Sequence, residues 1–160
     1  SEVSNVALTI SLHAPNDALR DQLVPINKKY PIQDLLDSVK RYVDNCEDKR
    51  ITTIEYILID QINDSLEIAK ELADLLTQLP CKINLIPFNP FPKSGYQRPS
   101  GNRVKKFQEL LQEEGYITTI RSTRGDDIMA ACGQLVGQVN DKTRKKEREE
   151  NKARIEAKIL

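Results

Sequence analysis

One stretch sets a thiol among small and basic neighbours: Arg121-Ser-Thr-Arg-Gly-Asp-Asp-Ile-Met-Ala-Ala-Cys132-Gly-Gln-Leu135. Cys132 is the candidate reacting group. Gly125 suits the positive φ of a tight turn, Asp126 or Asp127 suits a helix cap, and Gly133 can end that helix one residue after the cysteine. The thiol would then sit at a helix C-terminus, where the dipole disfavours a thiolate, so the local sequence supplies no activation. Read from the residues alone, a cysteine after two alanines is more often a small buried core residue than a nucleophile.

The remaining chemistry-bearing residues are sparse. Cys46, Cys81 and Cys132 are widely spaced and odd in number. With no secretory leader and no long apolar run, they point to a reducing, cytoplasmic setting and no membrane. No two cysteines form a metal-binding pair. With His13 as the single histidine, the chain lacks the close Cys/His clusters of zinc or iron–sulfur sites, and no metal ligand is assigned. Lys plus Arg equals Asp plus Glu at 24 each, so affinity for nucleic acid must come from local patches such as Arg98, Arg103, Arg121 and Arg124.

The elements that must position these groups alternate along the chain. Val6 to Leu12 reads as a buried strand that starts almost at once, without an initiator methionine, so the chain is expected to begin mid-protein. Pro15 ends that strand, Asp17 to Val24 suits a short helix, and Pro25 to Pro31 is a turn-rich link. Ile32, Leu35, Leu36, Val39 and Val43 recur at helical spacing, giving a helix from Ile32 to about Asn45. Ile51 to Ile59 is a β-branched second strand, expected to be buried on most of both faces. A helix follows from about Ser65 to Leu79, then a third strand from Lys82 to Phe88. Lys93 to Asn102 is a long loop, Val104 to Leu111 marks another helix ended by Gly115, and Tyr116 to Arg121 is a fourth strand. Strand–helix alternation predicts parallel strands with helical crossovers. Periodicity alone does not choose between an open sheet and part of a (β/α) barrel.

Four polar residues, at three places in the chain, stand out against that frame. Ser11 to His13 lie at the C-terminal end of the first strand, where parallel α/β folds place ligands, although a lone histidine at a strand end is often structural. Glu55 interrupts an apolar strand, which costs energy unless the carboxylate is paired or faces a polar cavity. Asn89 sits among Pro87, Pro90 and Pro92, which restrict the backbone around it, and its amide can face a ligand or cap a turn. Residues 1–140 read as one unit. From Asp141 to Leu160 the chain is strongly charged and reads as a solvated helix or frayed tail.

Four segments in this order resemble the radical S-adenosylmethionine (SAM) methyltransferases that methylate adenine C2 in ribosomal and transfer RNA, the RlmN type. They are Ser11-Leu-His-Ala-Pro-Asn-Asp17 with Val24-Pro-Ile-Asn-Lys-Lys-Tyr30; Ile54-Glu-Tyr56 with Asp60 and Asn63-Asp64; Ile83-Asn-Leu-Ile-Pro-Phe-Asn-Pro-Phe-Pro92; and Arg124-Gly-Asp-Asp-Ile-Met-Ala-Ala-Cys-Gly-Gln-Leu135. The resemblance implies an α/β fold, the C-terminal half of a partial (β/α)6 TIM-like barrel. It implies that Ser11, Leu12, His13 and Asn89 contact SAM and that Cys132 carries a methyl group. In the family's scheme one SAM methylates the cysteine and a second, bound to a 4Fe-4S cluster, yields a 5′-deoxyadenosyl radical. The radical takes a hydrogen from the methylated cysteine, the carbon radical adds to the adenine, and a second cysteine resolves the adduct. Such chemistry suits an aromatic carbon too weakly nucleophilic for ordinary methyl transfer.

One departure is large. The family's Cys-x3-Cys-x2-Cys cluster motif is absent, as are positions for its resolving cysteine and catalytic glutamate. The chain therefore reads as a C-terminal portion, inactive by itself, with ribosomal and transfer RNA as the parent's substrates. The full-length enzyme is expected to be a monomer, and the isolated portion to self-associate through exposed strand edges. The alternatives are a Cfr-type C8-methyltransferase, or a non-catalytic α/β module binding RNA through its arginines.

Overall fold

The computed structural model describes residues 7–46, 51–91 and 94–121. Cys132, Arg124, the expected boundary between residues 140 and 141 and the charged tail lie outside them.

Among the described residues, nine elements follow in chain order: β1 (Thr9–Ser11), α1 (Asp17–Leu23), a 3-10 turn (Pro25–Lys28), α2 (Ile32–Asp44), β2 (Thr52–Leu58), α3 (Leu66–Leu76), β3 (Cys81–Pro87), α4 (Gly101–Glu113) and β4 (Thr118–Ile120). The four strands form one sheet in the order β1-β2-β3-β4, and every pair is parallel. Spatial order equal to chain order means that each crossover steps the same way, as in a (β/α) barrel; a doubly wound sheet reverses. The fold is α/β, part of a TIM-like barrel.

Local chemistry explains the boundaries. Asn16 Oδ1 accepts from Leu19 N at 2.9 Å to open α1, and Ser65 and Ser100 cap α3 and α4 through Ile68 N and Arg103 N. Helix α2 begins after Pro31, and its first N–H is taken by a distant group: Asp17 Oδ1 accepts from Ile32 N at 2.9 Å. Gly115, at φ +92°, closes α4 with a conformation that side chains rarely adopt.

The core lies on one face of the sheet. Ile54, Tyr56, Leu58, Ile83 and Leu85 are buried with Leu36 and Val39 of α2, Leu72 and Leu76 of α3, and Phe107 and Leu111 of α4. Along β2 burial alternates strictly, with Thr52, Ile54, Tyr56 and Leu58 buried and Thr53, Glu55 and Ile57 half-buried. The expectation that this strand is buried on both faces is thus corrected. Its second face is the one that a closed barrel turns inward.

Candidate functional site

The site grows from the C-terminal ends of β1, β2 and β3. Leu12 N donates to Glu55 O at 3.0 Å, extending the β1–β2 ladder by one residue, after which the chain turns away. His13 makes that turn at φ +65°, a left-handed conformation that costs a non-glycine residue about 1–3 kcal/mol and needs support from its surroundings.

Two buried polar side chains supply that support. Arg20 of α1, 5% exposed, donates from Nε to Leu12 O at 3.0 Å and from its Nη atoms to Ser11 O at 3.2 Å and Asn27 Oδ1 at 2.7 Å. Asn27 Nδ2 donates in turn to Asp17 Oδ1 and Asp21 Oδ1. The buried charge is therefore linked to two carboxylates through an amide. Hydrogen bonds from Ile32 N and from Asn27 hold the Asp17 carboxyl below the usual range.

The second support is Asn63, fully buried in the loop after β2. Its Nδ2 donates to His13 O at 2.9 Å and Ile57 O at 2.6 Å, and its Oδ1 accepts from Ile59 N at 2.7 Å. Asp64 beside it accepts from Gln61 N and from Arg103 Nη2 at 2.8 Å. Arg103 Nε also lies 2.8 Å from the other carboxylate oxygen, an ion pair without hydrogen-bond alignment. Arg103, read from sequence as an RNA contact, is thus engaged with Asp64.

The imidazole of His13 is itself fixed. Ile57 N donates to Nδ1 at 3.1 Å. Burial, reinforced by the positive field of Arg20, pushes its pKa down to about 4. Ser11 ends β1 with its residue exposed, whereas Leu12 is fully buried with its N–H and C=O both bonded, so it anchors the two residues that flank it.

Asn89 follows β3 at the same end of the sheet. Phe88 N donates to Leu58 O at 2.8 Å, and the Phe88 ring lies 6.0 Å from Phe91 and 5.9 Å from Tyr96, so this exit is pinned by aromatic contacts as well as by prolines. No described hydrogen bond uses the half-buried Asn89 amide. The structure therefore brings Ser11, His13 and Asn89 to one rim.

From Ser11 at the rim, a polar row crosses the open face. Ser11, Glu55, Asn84 and Thr119 are register partners in succession across all four strands. Thr119 Oγ1 donates to Asn84 Oδ1 at 3.2 Å, while Glu55 makes no hydrogen bond or ion pair with a described residue. Further down, Thr53, Lys82, Asn84, Ile117 and Thr119 line a groove of about 270 Å³, away from the rim. Arg20, Asn27 and Asn63 had no periodic signal in the sequence; Asn27 and Asn63 lay within the motif segments without an assigned part. Of the other thiols, Cys46 is half-buried, and burial pushes Cys81 up to about 11, leaving it a poor nucleophile.

Comparison with known proteins agrees with this frame. No family model matches the chain. It is 63% identical over 147 residues to the "Dual-specificity RNA methyltransferase RlmN" of Marinobacter nauticus, and 61% identical to proteins of the same name from Marinomonas sp. and Pseudomonas fluorescens. It is an RlmN-type chain. These matches cover 90–92% of the chain but only 38–40% of the relatives, so the chain spans about two fifths of their length. A radical SAM methyltransferase from Sphaerobacter thermophilus superposes with a TM-score of 0.76 at 51% identity, over 81% of this chain and 38% of that one. A domain of the pyruvate-formate lyase-activating enzyme from Bacteroides vulgatus, at 22% identity and a TM-score of 0.57, covers 72% of this RlmN-type chain and 67% of that domain; it shares the fold alone.

Proposed function

We propose that this chain supplies the SAM-facing rim and the methyl-carrying cysteine of a cytoplasmic radical SAM enzyme that methylates adenine C2 in ribosomal and transfer RNA. One observation carries the reading. Ser11 and His13, with Asn89 more than 70 residues away in sequence, lie at one end of a parallel sheet, with His13 backed by Asn63 and the Ser11–Leu12 carbonyls by Arg20.

The rim suits SAM. The Ser11 hydroxyl, the His13 Nε2 edge and the Asn89 amide have no partner among the described residues and match a ligand rich in hydroxyl, carboxylate and ring-nitrogen acceptors. Leu12 joins them as the anchored residue between two contacts. A 4Fe-4S cluster has no fit here: among the described residues, no three His, Cys, Asp or Glu side chains group to hold a metal. SAM, when bound, supplies the methyl group and, with the parent protein's cluster, the radical chemistry. The residues of this chain would orient the cofactor, and Cys132, outside the described residues, would take the methyl group from the sulfonium onto its thiolate sulfur, leaving S-adenosylhomocysteine, and would present it to the base. No described helix is long and apolar enough to cross a membrane.

The decisive experiment uses the full-length parent with its cluster loaded. Cys132→Ala abolishes methylation of RNA while leaving SAM affinity within about twofold, and Asn89→Ala weakens SAM binding at least tenfold, the loss of about one well-placed hydrogen bond. Full activity in Cys132→Ala overturns the assignment of the thiol. Unchanged SAM affinity in Asn89→Ala together with Ser11→Ala overturns the rim.

A further inference from the structure

We propose that Asn63 is the positioning residue that locks His13 as the neutral imidazole with its proton on Nε2, so that the rim offers its ligand a fixed hydrogen-bond donor rather than a base or a cation. The inference rests on the reading that His13 meets SAM, but its core lies in the protein's own hydrogen bonds.

Ile57 N can donate to Nδ1 only if Nδ1 carries no proton, and the contact is 3.1 Å. The proton of the neutral ring is therefore on Nε2, which has no acceptor among the described residues. The contact places the ring against β2 at Ile57, on a residue whose backbone is left-handed. Asn63 holds that backbone by bonding its carbonyl and, with the same amide group, the carbonyl of Ile57, the residue that supplies the N–H. One buried side chain thus fixes both partners of the Ile57–His13 contact. Tyr56 Oη donates to Asn63 O at 3.2 Å, tying the clamp to the core.

The charged groups around the ring favour the same state. Arg20 on α1 opposes a positive imidazole. Asp64, next to Asn63, is matched by Arg103 of α4, and Glu55 lies two residues before Ile57 on β2, in register with Ser11 and not with His13. No described carboxylate bonds the ring, which would otherwise favour the imidazolium.

Imidazole ¹H–¹⁵N spectroscopy of the full-length parent, with His13→Gln to assign the signal, tests the tautomer directly. The expected result is an unprotonated Nδ1 and a protonated Nε2, unchanged from pH 8 to 5. A proton on Nδ1, or a midpoint near the ordinary value of about 6.5, overturns the proposal. The role of Asn63 is read from S-adenosylhomocysteine affinity against pH. The wild type varies less than about twofold between pH 8 and 5.5, whereas Asn63→Ala acquires a midpoint near 6.5 and a change of up to about tenfold, the ratio of neutral to total imidazole one unit below that value. Where the alanine variant does not fold, Asn63→Leu, which keeps the volume, removes both donor contacts and adds no charge near the ring, serves instead. A folded variant with a flat profile overturns the positioning role. A wild-type protein that binds no SAM or S-adenosylhomocysteine refutes the cofactor reading, while the spectroscopic result still decides the tautomer.

Discussion

The two faces of this sheet follow different rules. Under the helices, Ile54, Tyr56, Leu58, Ile83 and Leu85 are each no more than 1% exposed, and Tyr56 stacks at a tilt on Phe107 with 5.6 Å between ring centroids. On the opposite face, Ser11, Glu55, Asn84 and Thr119 make a row that buries little and pairs weakly within the described residues. A carboxylate in the middle of a parallel sheet contributes nothing to a core. Its presence shows that this face answers to something other than the packing of these helices, and in a barrel that something is the interior.

The largest expected effect belongs to the covered face. Phe107→Ala removes a fully buried ring against Tyr56 and should destabilise the parent protein by about 3–5 kcal/mol, read from urea unfolding. A loss below about 1 kcal/mol would break the contrast, since the covered face would then not be a tightly packed core. Next comes the rim, where polar atoms do the packing. Arg20→Met preserves bulk but strands Leu12 O, Ser11 O and Asn27 Oδ1, for an expected cost of about 3 kcal/mol together with weaker SAM binding.

What could be read in advance follows from the same division. Covered elements announced themselves through periodicity: the helix expected from Ile32 to Asn45 is Ile32–Asp44, and the third strand, expected over 82–88, is Cys81–Pro87. Of the strand expected from Val6 to Leu12, the described strand is Thr9–Ser11, in register with Thr53–Glu55, with flanking ladder bonds at Leu8 O and Leu12 N. Helix α3 ends at Leu76, short of the expected Leu79, with Thr77 as its C-cap. Glu55 was legible as a possible lining residue because its charge broke an apolar run. Arg20, Asn27 and Asn63 were not, because a buried polar clamp has no period and its partners lie anywhere from 4 to 50 residues away. Two of the four motif segments hold the residues proposed for the rim, Ser11 to His13 in one and Asn89 in another. Cys132, the residue proposed to carry the methyl group, falls outside the described residues.

A smaller effect should appear at the rim as pH falls. The folded pKa of His13, about 4, lies below the ordinary 6.5, so the folded state keeps the ring neutral and unfolding takes up a proton. That contribution is fully present above pH 6.5 and is lost as pH falls toward 4, by about 2 kcal/mol at pH 5. His13→Gln carries no such proton and should show a correspondingly shallower fall in urea midpoint between pH 7 and 5. Equal slopes would mean that the ring titrates freely, and the rim would then resemble the open face more than the core.

The smallest stability effect is expected where the contrast is sharpest. Glu55 has no hydrogen-bond or ion-pair partner among the described residues, and its neighbours in the row, Ser11 and Asn84, are neutral. Glu55→Gln keeps the shape and removes the charge, so the urea midpoint should correspond to a change within about 0.5 kcal/mol. If methylation by the parent falls nonetheless, the loss reports a contact across the open face and not a damaged fold. A cost of 2 kcal/mol or more would instead make Glu55 part of the structural framework, paired with a group beyond the described residues, and the two faces would differ in polarity but not in purpose.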